Sequence, residues 1–110
     1  MERKQIFYLN EIKFTCDFVE NLSKTSELSC YTLQDTKDFT YLINDLKPLL
    51  IIIDSKLYSE NKDEFWSQIK QADIGLKTMI VGASDSDFDF SYPGAIDATH
   101  FANEVRSKLE

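Results

Sequence analysis

Several residue types are scarce in this sequence, and each scarcity excludes a class of protein. Only three glycines occur, so the chain has no glycine-rich loop of the kind that cradles phosphates in nucleotide-binding folds. The two cysteines, Cys16 and Cys30, lack the spacing of a zinc site or of a disulfide framework. The one histidine, His100, has no serine or cysteine nucleophile that a known motif would pair with it. Nothing in these residues indicates an enzyme.

Basic residues and long apolar runs are also scarce. Lysine and arginine total 12 against 19 acidic residues, which gives a net charge of −7. Because nucleic acids and anionic membranes are bound mainly through basic residues, we expect neither as a partner. The longest apolar run is too short to cross a bilayer, and the first residues lack the apolar core of a signal peptide. We therefore expect a cytoplasmic protein with reduced cysteines.

Apolar residues, in contrast, are plentiful. The chain has 110 residues, of which 43% are hydrophobic, and it contains 8 phenylalanines. A chain of this length buries roughly two thirds of the surface that its unfolded form exposes. We therefore expect one domain, residues 1–110, that needs no disulfide or metal to hold its core.

Strand-like and helix-like patterns alternate along the chain. Apolar runs predict strands at residues 6–9, 28–33, 49–54 and 78–81, and a weak fifth strand at Ala95–Ile96. Helical spacing of apolar residues predicts helices near residues 11–23, 39–46, 62–72 and 101–109. Such alternation requires right-handed crossovers and a parallel sheet with helices on both faces. The sequence therefore predicts a flavodoxin-like α/β fold with strand order 2-1-3-4-5.

The most informative segment is the run from Leu49 to Ile53, which ends in Asp54. Five consecutive aliphatic residues indicate a strand buried on both faces, so Asp54 lies at the carboxyl end of the sheet, where such folds bind ligands. In the predicted strand order, Asn10 and Glu11 follow the neighbouring first strand and converge on the same crevice. The simpler alternative is that Asp54 only caps a helix or stabilises a loop.

By its element order and the segment Lys47–Asp54, the whole chain resembles a receiver domain of a bacterial-type two-component response regulator. The resemblance implies an acidic pair after the first strand, a phosphoacceptor aspartate after the third, a hydroxyl after the fourth and a lysine after the fifth. It also implies Mg²⁺ held by the carboxylates. Asp54 matches the phosphoacceptor, and Glu11 matches the second acid of the pair.

Three positions depart from this pattern. Asn10 replaces the first acid, Gly82 falls on the hydroxyl position, and Ala98, four residues past Gly94, falls on the lysine position. The stretch between Gly82 and Gly94 is also too short for a usual crossover helix, so we expect the fourth helix to be shortened or missing. The chain is therefore interpreted as a degenerate receiver, or pseudo-receiver.

Lys56 lies two residues after Asp54, where its ammonium group could lie near the carboxylates of Asp54 and Glu11, in an acidic pocket that also contains Asn10. A cation beside two carboxylates relieves their repulsion without a metal. We therefore hypothesise that Lys56 replaces Mg²⁺ and holds the domain in one state. The alternative is that Lys56 simply points into water.

Three aromatic residues, Phe88, Phe90 and Tyr92, follow each other at a spacing of two. In an extended segment they would share one face. They either cover core left bare by the missing helix, or form a docking surface for a protein partner, including a second copy of this chain.

These observations favour a non-enzymatic signalling module that binds another protein without phosphorylation, cofactor or small-molecule substrate. The alternative is a phosphoryl-accepting receiver that uses Asp54, with Mg²⁺ at Glu11 and Asp54 and with Ser84 in place of the lost hydroxyl.

Overall fold

The computed structural model describes residues 4–72 and 74–110, and its centre is a five-stranded sheet. The strands are β1 (Lys4–Leu9), β2 (Leu28–Leu33), β3 (Leu50–Asp54), β4 (Lys77–Val81) and β5 (Phe90–Tyr92). The helices are α1 (Lys13–Thr25), α2 (Thr40–Leu46), α3 (Ser55–Glu60), α4 (Lys62–Gln71) and α5 (His100–Lys108). All neighbouring strands pair in parallel in the order β2-β1-β3-β4-β5, which confirms the predicted topology.

Two apolar layers cover the two faces of the sheet. Successive strand residues point to opposite faces, so Ile6 and Tyr8 of β1 join one layer and Phe7 and Leu9 join the other. The first layer is completed by α1 and α5, and the second by α2, α3 and α4. None of the helices in the described part of the chain has the length and apolar character needed to cross a membrane.

The run that precedes Asp54 lies at the centre of the sheet, as predicted. Residues Leu50 to Ile53 are fully buried, because β3 lies between β1 and β4 and has helices on both sides. Leu49 is the exception, since it precedes the strand and is 46% exposed. Burial on both faces explains why this strand reads as a continuous apolar run rather than an alternating one.

The structure corrects two details of the predicted elements. The fifth strand is Phe90–Tyr92, so the prediction of a strand at Ala95–Ile96 is wrong. A short helix, α3, begins directly after Asp54, where the sequence predicted a loop, and it places Lys56 in the first helical turn. The expected loss of the fourth crossover helix is confirmed, because residues 82–89 contain no helix.

Candidate functional site

The carboxyl ends of the strands surround a pocket of about 330 Å³. Asn10 follows β1, Asp54 ends β3, and Gly82 follows β4, and all three residues line this pocket. Parallel strands bring these positions together from distant parts of the sequence. The structure thus brings Asn10 and Asp54 to one crevice, whereas Glu11 is not among the described residues that line it.

Asn10 is a structural residue of this crevice. It is only 4% exposed, and both ends of its side-chain amide have partners within the chain. Its Nδ2 donates to the Tyr8 hydroxyl at 2.9 Å, and its Oδ1 accepts from the backbone N–H of Ile12 at 2.9 Å. Burial raises the pKa of Tyr8, so its hydroxyl stays protonated at neutral pH. The amide therefore fixes the turn between β1 and α1.

Glu11 forms an ion pair with Lys56. Lys56 Nζ lies 3.2 Å from Glu11 Oε1, and the side chains are 70% and 39% exposed respectively. The hydrogen bond to Glu11 is the main reason that the pKa of Lys56 is raised, whereas Asp54 contributes least. The ammonium group therefore reaches one member of the acidic pair, although an exposed ion pair stabilises the fold little.

Asp54 caps the helix that follows it. Its Oδ2 accepts a hydrogen bond of 3.0 Å from the backbone N–H of Lys56, in the first turn of α3. An aspartate at this position satisfies one of the free N–H groups at the start of a helix. The same side chain is half-buried and lines the pocket, so the capping role and exposure to the pocket coexist.

Ser55 fills the space beside Gly82 at the end of β4. The backbone of Gly82 has φ +91°, and a Cβ atom added there would lie 2.8 Å from Ser55 Oγ. A side chain at this position would meet both an unfavourable backbone conformation and an occupied space. No pattern in the sequence indicates a role for Ser55. Only the folded chain shows that its hydroxyl lies in the space that a side chain at position 82 would enter.

The position at the end of β5 belongs to Tyr92. Its carbonyl accepts a hydrogen bond of 2.8 Å from the backbone N–H of Gly82, which continues the pairing of β4 with β5. Ala98 lies in an exposed turn just before α5, six residues beyond the strand. The assignment of the strand-end position to Ala98 depended on the wrong fifth strand and is corrected to Tyr92.

No known family model matches this sequence, and neither does any curated protein. Solved structures do match. The signal receiver domain of a Luxo repressor protein (described as putative) from Vibrio parahaemolyticus superposes with a TM-score of 0.77 at 19% identity, over 97% of this chain and 90% of that one. A response-regulator signal receiver domain from Bermanella marisrubri gives a TM-score of 0.78 at 12% identity, over 98% and 99%. A CheY-like receiver domain from Methylobacillus flagellatus gives 0.76 at 13%, over 98% and 99%. The chain has the receiver fold.

The receiver resemblance implies a hydroxyl after the fourth strand and a lysine after the fifth. Gly82, which has no side chain, follows β4, and Tyr92 ends β5 and is followed by Pro93. Ser84, considered as a substitute hydroxyl, lies two residues beyond Gly82 and is exposed, and it is not among the residues that line the pocket.

The residues around Asp54 do not fit the magnesium site that the receiver fold implies. Mg²⁺ needs oxygen ligands in a nearly octahedral arrangement. Glu11 is paired with Lys56, and the Asn10 oxygen accepts a backbone hydrogen bond. Within residues 4–72 and 74–110, no three side chains of histidine, cysteine, aspartate or glutamate are grouped so that they could hold a metal ion. The chemistry of this crevice is therefore that of one carboxylate with neutral neighbours.

The three aromatic residues near β5 do not share a face. Phe88 lies in a turn before the strand and is only 6% exposed, and its ring centroid lies 4.8 Å from that of Tyr58 and 5.0 Å from that of Trp66. Phe90 and Tyr92 pack into the opposite layer, against α5. The prediction of a common surface is wrong for Phe88, which instead covers the core where the crossover helix is missing.

Proposed function

We propose that this domain is a pseudo-receiver, a signalling module that binds a protein partner without being phosphorylated. The observation that carries this proposal is the conformation of Gly82. A receiver hydroxyl at the end of β4 would have to occupy space that Ser55 Oγ already fills, on a backbone with φ +91°. The backbone conformation at this position therefore favours glycine over a residue that would carry a hydroxyl.

The charges around Asp54 support the same conclusion. A phosphoryl group on Asp54 would add negative charge to a pocket lined by no lysine, arginine or histidine among its described residues. Lys56, the cationic side chain nearest in sequence, is engaged by Glu11. Without a lysine, arginine or histidine in the described lining of the pocket, phosphorylation would have no cationic contact through which to favour a second conformation.

We further propose that Lys56 acts as the counter-ion of Glu11 and thereby removes the need for a metal.

The partner-binding surface would include α5 and the half-buried rings of Phe90 and Tyr92, which lie beside it, whereas Phe88 is excluded by its burial. The ammonium groups of Lys77 and Lys108 lie 5.6 and 5.4 Å from the Phe90 ring centroid, and Lys108 also pairs with Glu104 at 3.7 Å, so charges of both signs lie beside these rings.

The test is an NMR titration of ¹⁵N-labelled protein with Mg²⁺ and beryllofluoride, a mimic of the phosphoryl group. We expect no saturable shifts at the amides of Asp54, Ser55 and Gly82. Saturable shifts there, lost in the Asp54→Asn variant, would support the alternative of a phosphoryl-accepting receiver with Mg²⁺ at Glu11 and Asp54.

The Lys56→Ala variant tests the counter-ion role, and we expect it to gain weak Mg²⁺ affinity. If it gains none and loses no stability, Lys56 has no such role.

A further inference from the structure

Exposed apolar side chains gather on one wall of the pocket above Asp54. Ile12 is 53% exposed, Phe14 81% and Phe18 36%, and all three line the pocket together with Ile96. They account for half of the exposed large hydrophobic residues in the described chain. Exposed apolar side chains that form a cluster, unlike those scattered singly, mark ligand-binding or interaction sites. A volume of about 330 Å³ falls at the lower end of the range for small-molecule pockets.

The pocket carries a single charge at neutral pH. Among the described residues that line it, Asp54 is the only carboxylate, and none is lysine, arginine or histidine. Tyr8 is the other acidic group that lines it, and burial raises its pKa, so it remains neutral. The backbone N–H of Lys56 satisfies one oxygen of Asp54, while the Lys56 ammonium group points to Glu11. Asp54 is therefore a carboxylate without a side-chain cation beside it.

We propose that this pocket binds a small organic cation with an apolar ring, such as an arylalkylamine. The ammonium group would contact Asp54, and the ring would lie against Phe14 and Phe18, whose faces also attract a cation. An anion is disfavoured by the lone carboxylate, and a divalent metal ion by the lack of a second one among the described lining residues. The site differs from the expectation that the chain has no small-molecule ligand, and it does not depend on the proposed function.

The first test uses phenethylamine as the probe, because it has one ring, one short linker and one ammonium group at neutral pH. Two matched compounds serve as controls, phenethyl alcohol, which is neutral, and phenylacetate, which is an anion. We expect saturable amide shifts at Asp54, Phe14 and Ile96 with the amine and much weaker binding of both controls. Equal binding of the three compounds, or no saturable shift with the amine, would overturn the assignment.

Two variants separate the charge from the apolar wall. Asp54→Asn keeps a good helix cap and removes the charge, and we expect it to weaken amine binding at least tenfold. Phe14→Ala removes an 81% exposed ring without affecting the core, and we expect a several-fold loss. Tyr41→Ala, 66% exposed on α2, is the matched control and should bind normally. Unchanged binding by Asp54→Asn would contradict the site, as would capture of a basic peptide without any binding of the free amine.

Discussion

A single methyl group added at Gly82 tests whether this position can carry a side chain, as the hydroxyl position of a receiver would have to. The Gly82→Ala variant places a Cβ on a backbone with φ +91°, at 2.8 Å from Ser55 Oγ. Two separate costs follow from these two values. One is the left-handed backbone conformation, and the other is the contact with the hydroxyl.

The two costs can be given approximate sizes. A residue other than glycine in the left-handed region costs about 1–2 kcal/mol. Crowding against a packed neighbour costs about 1 kcal/mol at the lower end of what overpacked sites show. The reduced freedom of the unfolded chain offsets roughly 0.4–1 kcal/mol. We therefore expect Gly82→Ala to lower the free energy of unfolding by about 1–2.5 kcal/mol, and Gly82→Thr to lower it further because its side chain is branched at Cβ.

Urea denaturation followed by far-UV circular dichroism measures this loss. Gly75→Ala is the matched control, because its added Cβ meets nothing within 4 Å, so it should not destabilise. In a Ser55→Ala background the hydroxyl is gone and only the Ser55 Cβ remains, at 3.7 Å, an ordinary contact. The cost of Gly82→Ala should then fall by about 1 kcal/mol. If Gly82→Ala is as stable as Gly75→Ala, the proposed constraint at this position does not exist.

Three further predictions concern other parts of the molecule. Phe88→Ala should destabilise the fold by about 3–5 kcal/mol in urea denaturation, because its ring packs against Tyr58 and Trp66. A loss below 1 kcal/mol would show that this ring does not replace the missing helix. Burial raises the pKa of the Cys30 thiol to about 12, so at pH 8 this half-buried thiol should react with a disulfide reagent more slowly in the native than in the unfolded protein, and equal rates would contradict the shift. The hydrogen bond from the backbone N–H of His100 lowers the pKa of Asp97. At a pH above the pKa that Asp97 has in the unfolded chain, its carboxylate therefore stabilises the start of α5. This stabilisation is lost as the pH falls through the lower pKa of the folded state. The protection factor for hydrogen exchange at the start of α5, which corrects for the intrinsic pH dependence, should fall over that interval, and an Asp97→Asn variant with the same acid dependence would exclude this cause.

Much of the fold could be predicted because its signals are local. The five aliphatic residues before Asp54 indicate a strand buried on both faces, and the last four of them are indeed the fully buried centre of the sheet. The apolar spacing of α2 and α4 predicts the ends of both helices closely, and Pro48 follows the end of α2. Once strands and helices alternate, the handedness of crossovers leaves few topologies, so the order of the strands followed.

The errors lie where local signals are weak or misleading. β5 has only three residues and two of its side chains are half-buried, so its strand signal is short, whereas Ala95–Ile96, the segment predicted as the strand, forms a loop. Ile12 continues the apolar spacing of α1, yet it lies before the first turn and is 53% exposed. The contact between Ser55 and Gly82 depends on the packing of two strand ends, which no pattern along the sequence reveals.

Whether Asp54 accepts a phosphoryl group can be measured directly by intact-protein mass spectrometry after incubation with acetyl phosphate and Mg²⁺. With Gly82 lacking a hydroxyl, Tyr92 in place of a lysine and Glu11 paired with Lys56, we expect the unmodified mass alone. An acid-stable mass increase retained by the Asp54→Asn variant would indicate modification elsewhere. A base-labile increase of one phosphoryl group that is absent from Asp54→Asn would show that the domain is a phosphorylated receiver and not a pseudo-receiver.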